Sequence, residues 1–106
     1  MNANRELIQI RRRRGLMLKF VRDGHEQQMS RMDDLEMWGM LQDVGVSIGR
    51  NEVITMLQDL ETFGYLTFRE SCDPVSGRKR ISEIELTGRG VSLVLNRRGN
   101  DEVLLD

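Results

Sequence analysis

The chain has 106 residues, which is the size of one domain and leaves no room for a second. Its 16 basic and 17 acidic residues give a formal net charge of −1, which argues against indiscriminate binding of polyanions. A single cysteine excludes an intrachain disulfide. We find neither a secretory signal nor a membrane span in the sequence, so we expect a cytoplasmic protein.

The near-neutral total conceals a segregation of charge along the chain. Residues 1–24 contain seven cations and two anions, whereas residues 25–66 contain two cations and eight anions. Residues 67–98 are basic again, with seven cations and four anions, and residues 99–106 contain three anions. We therefore expect separate basic and acidic surfaces.

A long basic helix is predicted over residues 4–22, because Leu7, Ile10, Arg14, Met17 and Val21 share one helical face. The four arginines at positions 11–14 cover more than one turn, so at least one guanidinium must lie on the apolar side. A glycine at position 15 costs the helix about 1 kcal/mol relative to alanine. The segment is either one helix or two pieces, the first of which projects from the domain. The arginines form a solvated face, contact phosphate, or pair with the acidic groups of a partner.

The sequence Asp23-Gly24-His25 is predicted to end this helix, and residues 26–29 to add a short strand. A possible capping box, formed by Ser30 with Asp33, then opens a second helix. Its predicted inward positions are Leu35, Trp38, Leu41 and Val44, with Gly45 as the stop. We expect Trp38 to be a core anchor, since a buried indole needs only one partner for its N–H.

A third helix is predicted to start at Arg50, after a turn at residues 46–49. Its apolar stripe has spacings of four, three and three residues and consists of Val53, Leu57, Leu60 and Phe63. Gly64 follows and can close the helix in the left-handed conformation. Two short helices joined by a tight turn form a helix-turn-helix, which we assign to residues 31–64.

Residues 65–86 are predicted to form an antiparallel sheet of two or three strands around a polar, basic turn at residues 71–80. Ile81 is out of phase with Ile84 and Leu86 in the return strand. This predicts either a β-bulge or an exposed Ile81 near the tip of the hairpin.

Thr87 is predicted to cap a last helix over residues 88–96, and Gly90 to let that helix approach another backbone closely. The inward side chains of this helix are predicted to be Val91, Val94 and Leu95. The acidic tail, residues 99–106, is expected to be flexible, unless its apolar residues dock on a second subunit.

Two short motifs carry a resemblance to a known family. With Leu57, Leu60, Gly64, Tyr65 and Leu66, and then Leu86-Thr87-Gly88-Arg89-Gly90, the chain resembles winged-helix transcription factors of the ArsR, MarR and PadR kind. It is also similar to small winged-helix proteins of Mu-like prophages. The resemblance covers residues 14–96. It implies an α+β, mainly α fold, with residues 1–98 forming one winged helix-turn-helix domain that has N- and C-terminal helices.

The implied function is binding of double-stranded DNA, as a phage or prophage transcriptional regulator that acts as a homodimer. The third helix would enter the major groove, and the wing would contact the backbone. The candidate DNA contacts are Arg50, Asn51, Thr55, Gln58, Arg78, Lys79 and Arg80. The candidate dimer or backbone contacts are Arg11, Arg12, Arg13 and Arg14.

The alternative hypothesis is a winged-helix protein–protein interaction or assembly module without DNA binding. Acidic residues on the third helix favour it, because Glu52 and Asp59 outnumber the one cation between Arg50 and Leu60. We do not expect an enzyme, since the chain has one histidine and its only cysteine, Cys72, lies in the predicted wing. No metal, cofactor or small-molecule ligand is predicted.

Overall fold

The computed structural model describes residues 3–26, 31–97 and 99–105, with side chains from residue 5 onwards. These residues form four helices and a two-stranded antiparallel sheet, which confirms an α+β, mainly helical fold. In chain order the elements are α1 (Ala3–Glu26), α2 (Asp34–Asp43), α3 (Arg50–Thr62), β1 (Leu66–Cys72), β2 (Lys79–Leu86) and α4 (Gly88–Asn96).

The core lies where all four helices meet the inner face of the sheet, and the C-terminal tail closes it. Its buried apolar side chains include Met17, Leu18, Val21, Met37, Leu41, Val53, Leu57, Leu60, Tyr65, Leu66, Ile81, Ile84, Val94, Val103 and Leu105. The tail therefore packs on its own domain, whereas the sequence predicted a mobile segment or one docked on a second subunit.

The first helix is one continuous helix that passes through Gly15, so it is not divided into two pieces. Its predicted end at residues 23–25 is wrong, because the helix continues to Glu26. The ion pair between Arg22 Nε and Glu26 Oε1, at 3.1 Å and with i,i+4 spacing, supports this last turn. The strand predicted at residues 26–29 overlaps the helix at Glu26, and its remainder lies outside the described residues.

The second helix is capped by Asp33, whose Oδ1 accepts a hydrogen bond from the Glu36 N–H at 2.8 Å. The predicted capping box had placed Asp33 at the third helical position, and its Ser30 lies outside the described residues. The predicted inward stripe also needs correction, because Met37 is fully buried whereas Val44 is 54% exposed. Trp38 is partly buried and donates its indole N–H to Ile48 O at 2.9 Å.

Glycines end α2 and α3 as predicted. Gly45 and Gly64 have φ values of +86° and +87°, which only glycine adopts without strain. Of the predicted α3 stripe, Val53, Leu57 and Leu60 are fully buried, whereas Phe63 is partly buried.

The sheet contains a β-bulge in β2, which confirms one of the two predicted alternatives. Thr67 pairs with Glu85 and Arg69 pairs with Ser82, so β2 has one residue more than β1 in this interval. Glu83, in the bulge, has a φ of +54°. The extra residue brings both Ile81 and Ile84 to the core, and an exposed Ile81 is excluded. In place of a third strand, the described residues contain one isolated β-bridge, between Met32 and Ile84.

The last helix is capped by Thr87, whose hydroxyl accepts from the Gly90 N–H at 3.0 Å and donates to Gly64 O at 2.6 Å. Val94 is buried as predicted. The inward assignment of Val91 and Leu95 is wrong, because these side chains are 42% and 59% exposed. Only a narrow stripe of this nine-residue helix therefore reaches the core.

Candidate functional site

The exposed face of α3 holds the first group of candidate residues. Asn51 and Thr55 are exposed, and the Thr55 hydroxyl donates back to Asn51 O at 3.1 Å. The N-cap residue, Gly49, provides no side-chain acceptor for the first turn. The N–H groups at the start of α3 are therefore free of a side-chain cap, and the helix dipole places partial positive charge there.

Two further candidates on α3 are more enclosed. Arg50 is partly buried, and its Nε has no hydrogen-bond partner within the described part of the chain. Gln58 donates from Nε2 to Glu70 Oε1 at 3.0 Å, which joins α3 to β1. The exposed face of α3 therefore continues onto the hairpin as one surface.

The hairpin turn is ordered by Asp73. Its Oδ1 accepts from the N–H groups of Val75 at 2.8 Å and Ser76 at 3.4 Å, and these backbone donors lower the pKa of the Asp73 carboxyl. Gly77 has a φ of +72° and completes the turn. Arg78 and Lys79 follow it, and both are exposed. The turn thus presents two adjacent cations to solvent.

Arg80 differs from its two basic neighbours. Its Nε donates to Asp34 Oδ1 at 3.0 Å, and its Nη2 lies 3.7 Å from Asp33 Oδ2. The hydrogen bond with Asp34 raises the pKa of Arg80 above its usual value. The same carboxylate oxygen accepts from the buried Ile81 N–H at 3.1 Å. Arg80, which the sequence predicted as a DNA contact, therefore links the hairpin to α2 through these carboxylates.

Part of the arginine run binds within the chain itself. Arg11 donates from Nη2 to Asn100 O, and Arg14 donates from Nη1 to Glu102 O at 3.1 Å. The Arg14 guanidinium also stacks over the Phe63 ring, with Cζ 4.9 Å from the ring centroid. Two of the four predicted partner contacts thus bind the chain's own tail. Arg12 is exposed and Arg13 is partly buried.

A network around the Tyr65 hydroxyl completes the attachment of the tail. Asn100 Nδ2 donates to Tyr65 Oη at 2.6 Å, and this hydroxyl donates to Glu102 Oε1 at 3.2 Å. Arg89 lies over the Tyr65 ring, with Cζ 5.0 Å from the centroid. Sequence reasoning missed this cluster, since Tyr65 is separated from its tail partners by at least 35 residues and no local pattern marks the pairing.

Other classes of site have little support in the described residues. They contain no group of three or more histidine, cysteine or acidic side chains that could hold a metal ion. Cys72 is exposed on β1. None of the described helices is long and apolar enough to cross a membrane.

Comparison of the chain with protein-family models, with curated proteins and with solved structures gives no match.

Proposed function

We propose that this protein is a winged helix-turn-helix protein that binds double-stranded DNA through α3 and the hairpin. One observation carries the proposal: the Gln58–Glu70 hydrogen bond joins the exposed face of α3 to the sheet, so helix and hairpin offer one continuous polar surface. α2 and α3, separated by the turn at residues 44–49, precede that hairpin directly. This order of elements is that of a helix-turn-helix followed by a wing.

On this proposal the residues have distinct roles. Asn51 and Arg50, at the start of α3, would read base edges, since arginine matches guanine and asparagine matches adenine in the major groove. The uncapped N–H groups after Gly49 would donate hydrogen bonds to a phosphate. Arg78 and Lys79 would contact the backbone of the duplex and contribute sequence-independent affinity. The resemblance to prophage proteins extends the proposal to a cytoplasmic transcriptional regulator.

A second candidate is a module that binds a basic protein partner instead of DNA. The observation that favours it is the charge of α3, where Glu52 and Glu61 are exposed and Asp59 is partly exposed. Asp59 is partly compensated by Arg14, whose Nη2 is 3.8 Å from its Oδ2. The two exposed glutamates would repel a phosphate backbone wherever they face it.

Titration with random-sequence duplex DNA at two salt concentrations tests the first proposal. We expect binding at low salt that weakens steeply as salt rises, because counterions are released from each neutralised phosphate. The variant Arg78→Ala/Lys79→Ala removes two proposed phosphate contacts. It should bind more weakly and lower the slope of log K against log salt by about two. Arg80 is left intact, because its loss would disturb the hairpin.

The matched control is Lys19→Ala/Arg97→Ala, which removes the same charge outside α3 and the hairpin. It should retain most of the affinity and the wild-type salt slope. Folded wild-type protein that shows no binding at low salt would exclude the DNA proposal and favour a protein partner. Equal loss in both variants would show that net charge alone, and not the hairpin, determines binding.

A further inference from the structure

The N-terminal part of α1 carries an apolar face that the described chain leaves uncovered. We call residues 5–10 the arm, and its Leu7, Ile8 and Ile10 are 49%, 44% and 40% exposed. Leu7 and Ile10 continue the stripe that Met17 and Val21 form further along the helix, where the same face is fully or almost fully buried. The core face of α1 therefore extends beyond the domain that covers its second half.

A second apolar surface that the described residues leave uncovered lies at the other end of α1. A groove of about 610 Å³ is lined by residues 20–26 at the end of α1 together with residues of α2, β2 and α4. We call it the α1–α4 groove. Its apolar lining includes Phe20, Met40, Leu86, Val91 and Leu95. The groove explains why Val91 and Leu95 of α4 are apolar although they do not face the core.

The rim of the groove and the N-terminal segment that contains the arm, residues 5–14, carry opposite net charge. The rim of the groove contains Asp23, Glu26, Glu36 and Glu85 together with Arg22 and Arg31. Four anions against two cations give the rim a formal net charge of −2, and both arginines already lie in ion pairs, Arg22 with Glu26 at 3.1 Å and Arg31 with Glu85 at 2.7 Å. Within the arm Arg5 and Glu6 balance each other, but the arginine run follows directly, so the five cations and one anion of residues 5–14 give this segment a formal net charge of +4. Charge thus favours an encounter of arm with groove.

The arm cannot fill the groove of its own chain. Residues 7–10 and the groove residues 20–26 belong to one continuous helix. At 1.5 Å per residue they lie roughly 20 Å apart. Only another molecule can bring an arm to this groove.

We infer that the arm of one copy of this chain docks into the α1–α4 groove of a second copy, and that the second copy returns the same contact. An amphipathic helix laid in an apolar groove is a common mode of recognition. In a reciprocal exchange each dimer contains two copies of this contact, and the assembly is closed by twofold symmetry. The inference does not depend on DNA binding and goes beyond it.

Sedimentation velocity of the full chain at micromolar concentrations, without DNA, tests the contact. The arm variant is Leu7→Lys/Ile10→Lys, and the groove variant is Val91→Lys/Leu95→Lys. All four positions are exposed, so circular dichroism should show unchanged folding. We expect wild type to be a dimer, and each variant to raise the dimer dissociation constant at least tenfold. The control is Val44→Lys, an equally exposed valine outside both surfaces, which should dimerise as wild type does.

Mixing the two variants distinguishes arm-in-groove docking from pairing of two arms. A mixed dimer joins the intact arm of the groove variant to the intact groove of the arm variant, so it keeps one of the two contacts. We expect the mixture to associate at concentrations at which each variant alone is monomeric. A monomeric wild type, a dimeric groove variant, or a mixture that stays monomeric would each overturn the inference.

Discussion

Gly15 and Gly90 allow two segments of backbone to lie directly against helices. A Cβ atom on Gly90 would lie 2.0 Å from Tyr65 O, and one on Gly15 would lie 1.9 Å from Leu104 O. Both neighbours are main-chain atoms, which cannot turn away as a side chain does. A close approach of Gly90 to another backbone was predicted, without its partner Tyr65, 25 residues away; the approach of Gly15 to Leu104, 89 residues away, was not predicted. From the sequence, Gly15 could be recognised only as a residue that weakens the helix, and not as the position against which the tail packs.

Alanine substitutions separate these packing glycines from an ordinary helical glycine. We expect Gly15→Ala and Gly90→Ala to lower the free energy of unfolding by about 1–3 kcal/mol, because displaced backbone outweighs the gain in helix propensity. Gly39→Ala is the control, since nothing lies within 4 Å of its added Cβ. It should raise stability by up to about 1 kcal/mol. Urea unfolding measures all three, and a stabilised Gly15→Ala variant would contradict the close approach of the tail.

At the scale of elements, sequence predicted those structures that local signals specify. The boundaries of α3 follow from its apolar spacing and its terminal glycine. The phase of Ile81 indicated an irregularity in β2 but left two alternatives, of which the structure contains the bulge. The faces of α2 and α4 were predicted less well. Val44 and Leu95 fit an apolar stripe, but the packing of neighbouring elements determines which side of a short helix is covered.

The tail is the element that sequence assigned least well. Its net negative charge and terminal position favoured mobility, whereas Val103 is fully buried and Leu105 is 2% exposed. The main chain also joins α1, because the Leu104 N–H donates to Arg11 O at 3.0 Å. Two guanidiniums of the arginine run also donate hydrogen bonds to carbonyl oxygens of the tail. Composition cannot reveal such a long-range pairing.

Truncation of one tail side chain tests whether the tail belongs to the core. We expect Leu105→Ala to lower the free energy of unfolding by about 2–5 kcal/mol, the range for a buried leucine. Leu95→Ala, at a position that is 59% exposed, is the matched control and should change stability by less than about 1 kcal/mol. Thermal or urea denaturation gives both values. A mobile tail would make the two variants equally stable.

At the scale of the whole molecule, the hairpin is fixed to the helical body by Asp34. This carboxylate is 2% exposed and receives both Arg80 Nε and the Ile81 N–H on one oxygen. The proposed DNA surface needs α3 and the hairpin in a constant relative position, because both must reach one duplex. Of the three cations at positions 78–80, Arg80 thus maintains the surface, while Arg78 and Lys79 are free to contact DNA.

Arg80→Ala and Arg78→Ala should therefore differ in their effect on the free energy of unfolding. Arg80→Ala leaves the buried Asp34 carboxylate without its cation, and we expect a loss of about 3–5 kcal/mol in unfolding free energy. Arg78→Ala, at an exposed position, should stay within about 0.5 kcal/mol of wild type. In a double-mutant cycle, Asp34→Ala/Arg80→Ala should lose less than the sum of the two single variants, since each single change already breaks the pair. If Arg80→Ala were as stable as Arg78→Ala, the pair with Asp34 would contribute nothing to holding the hairpin. Any loss of DNA affinity in Arg80→Ala would then have to be a direct loss of contact.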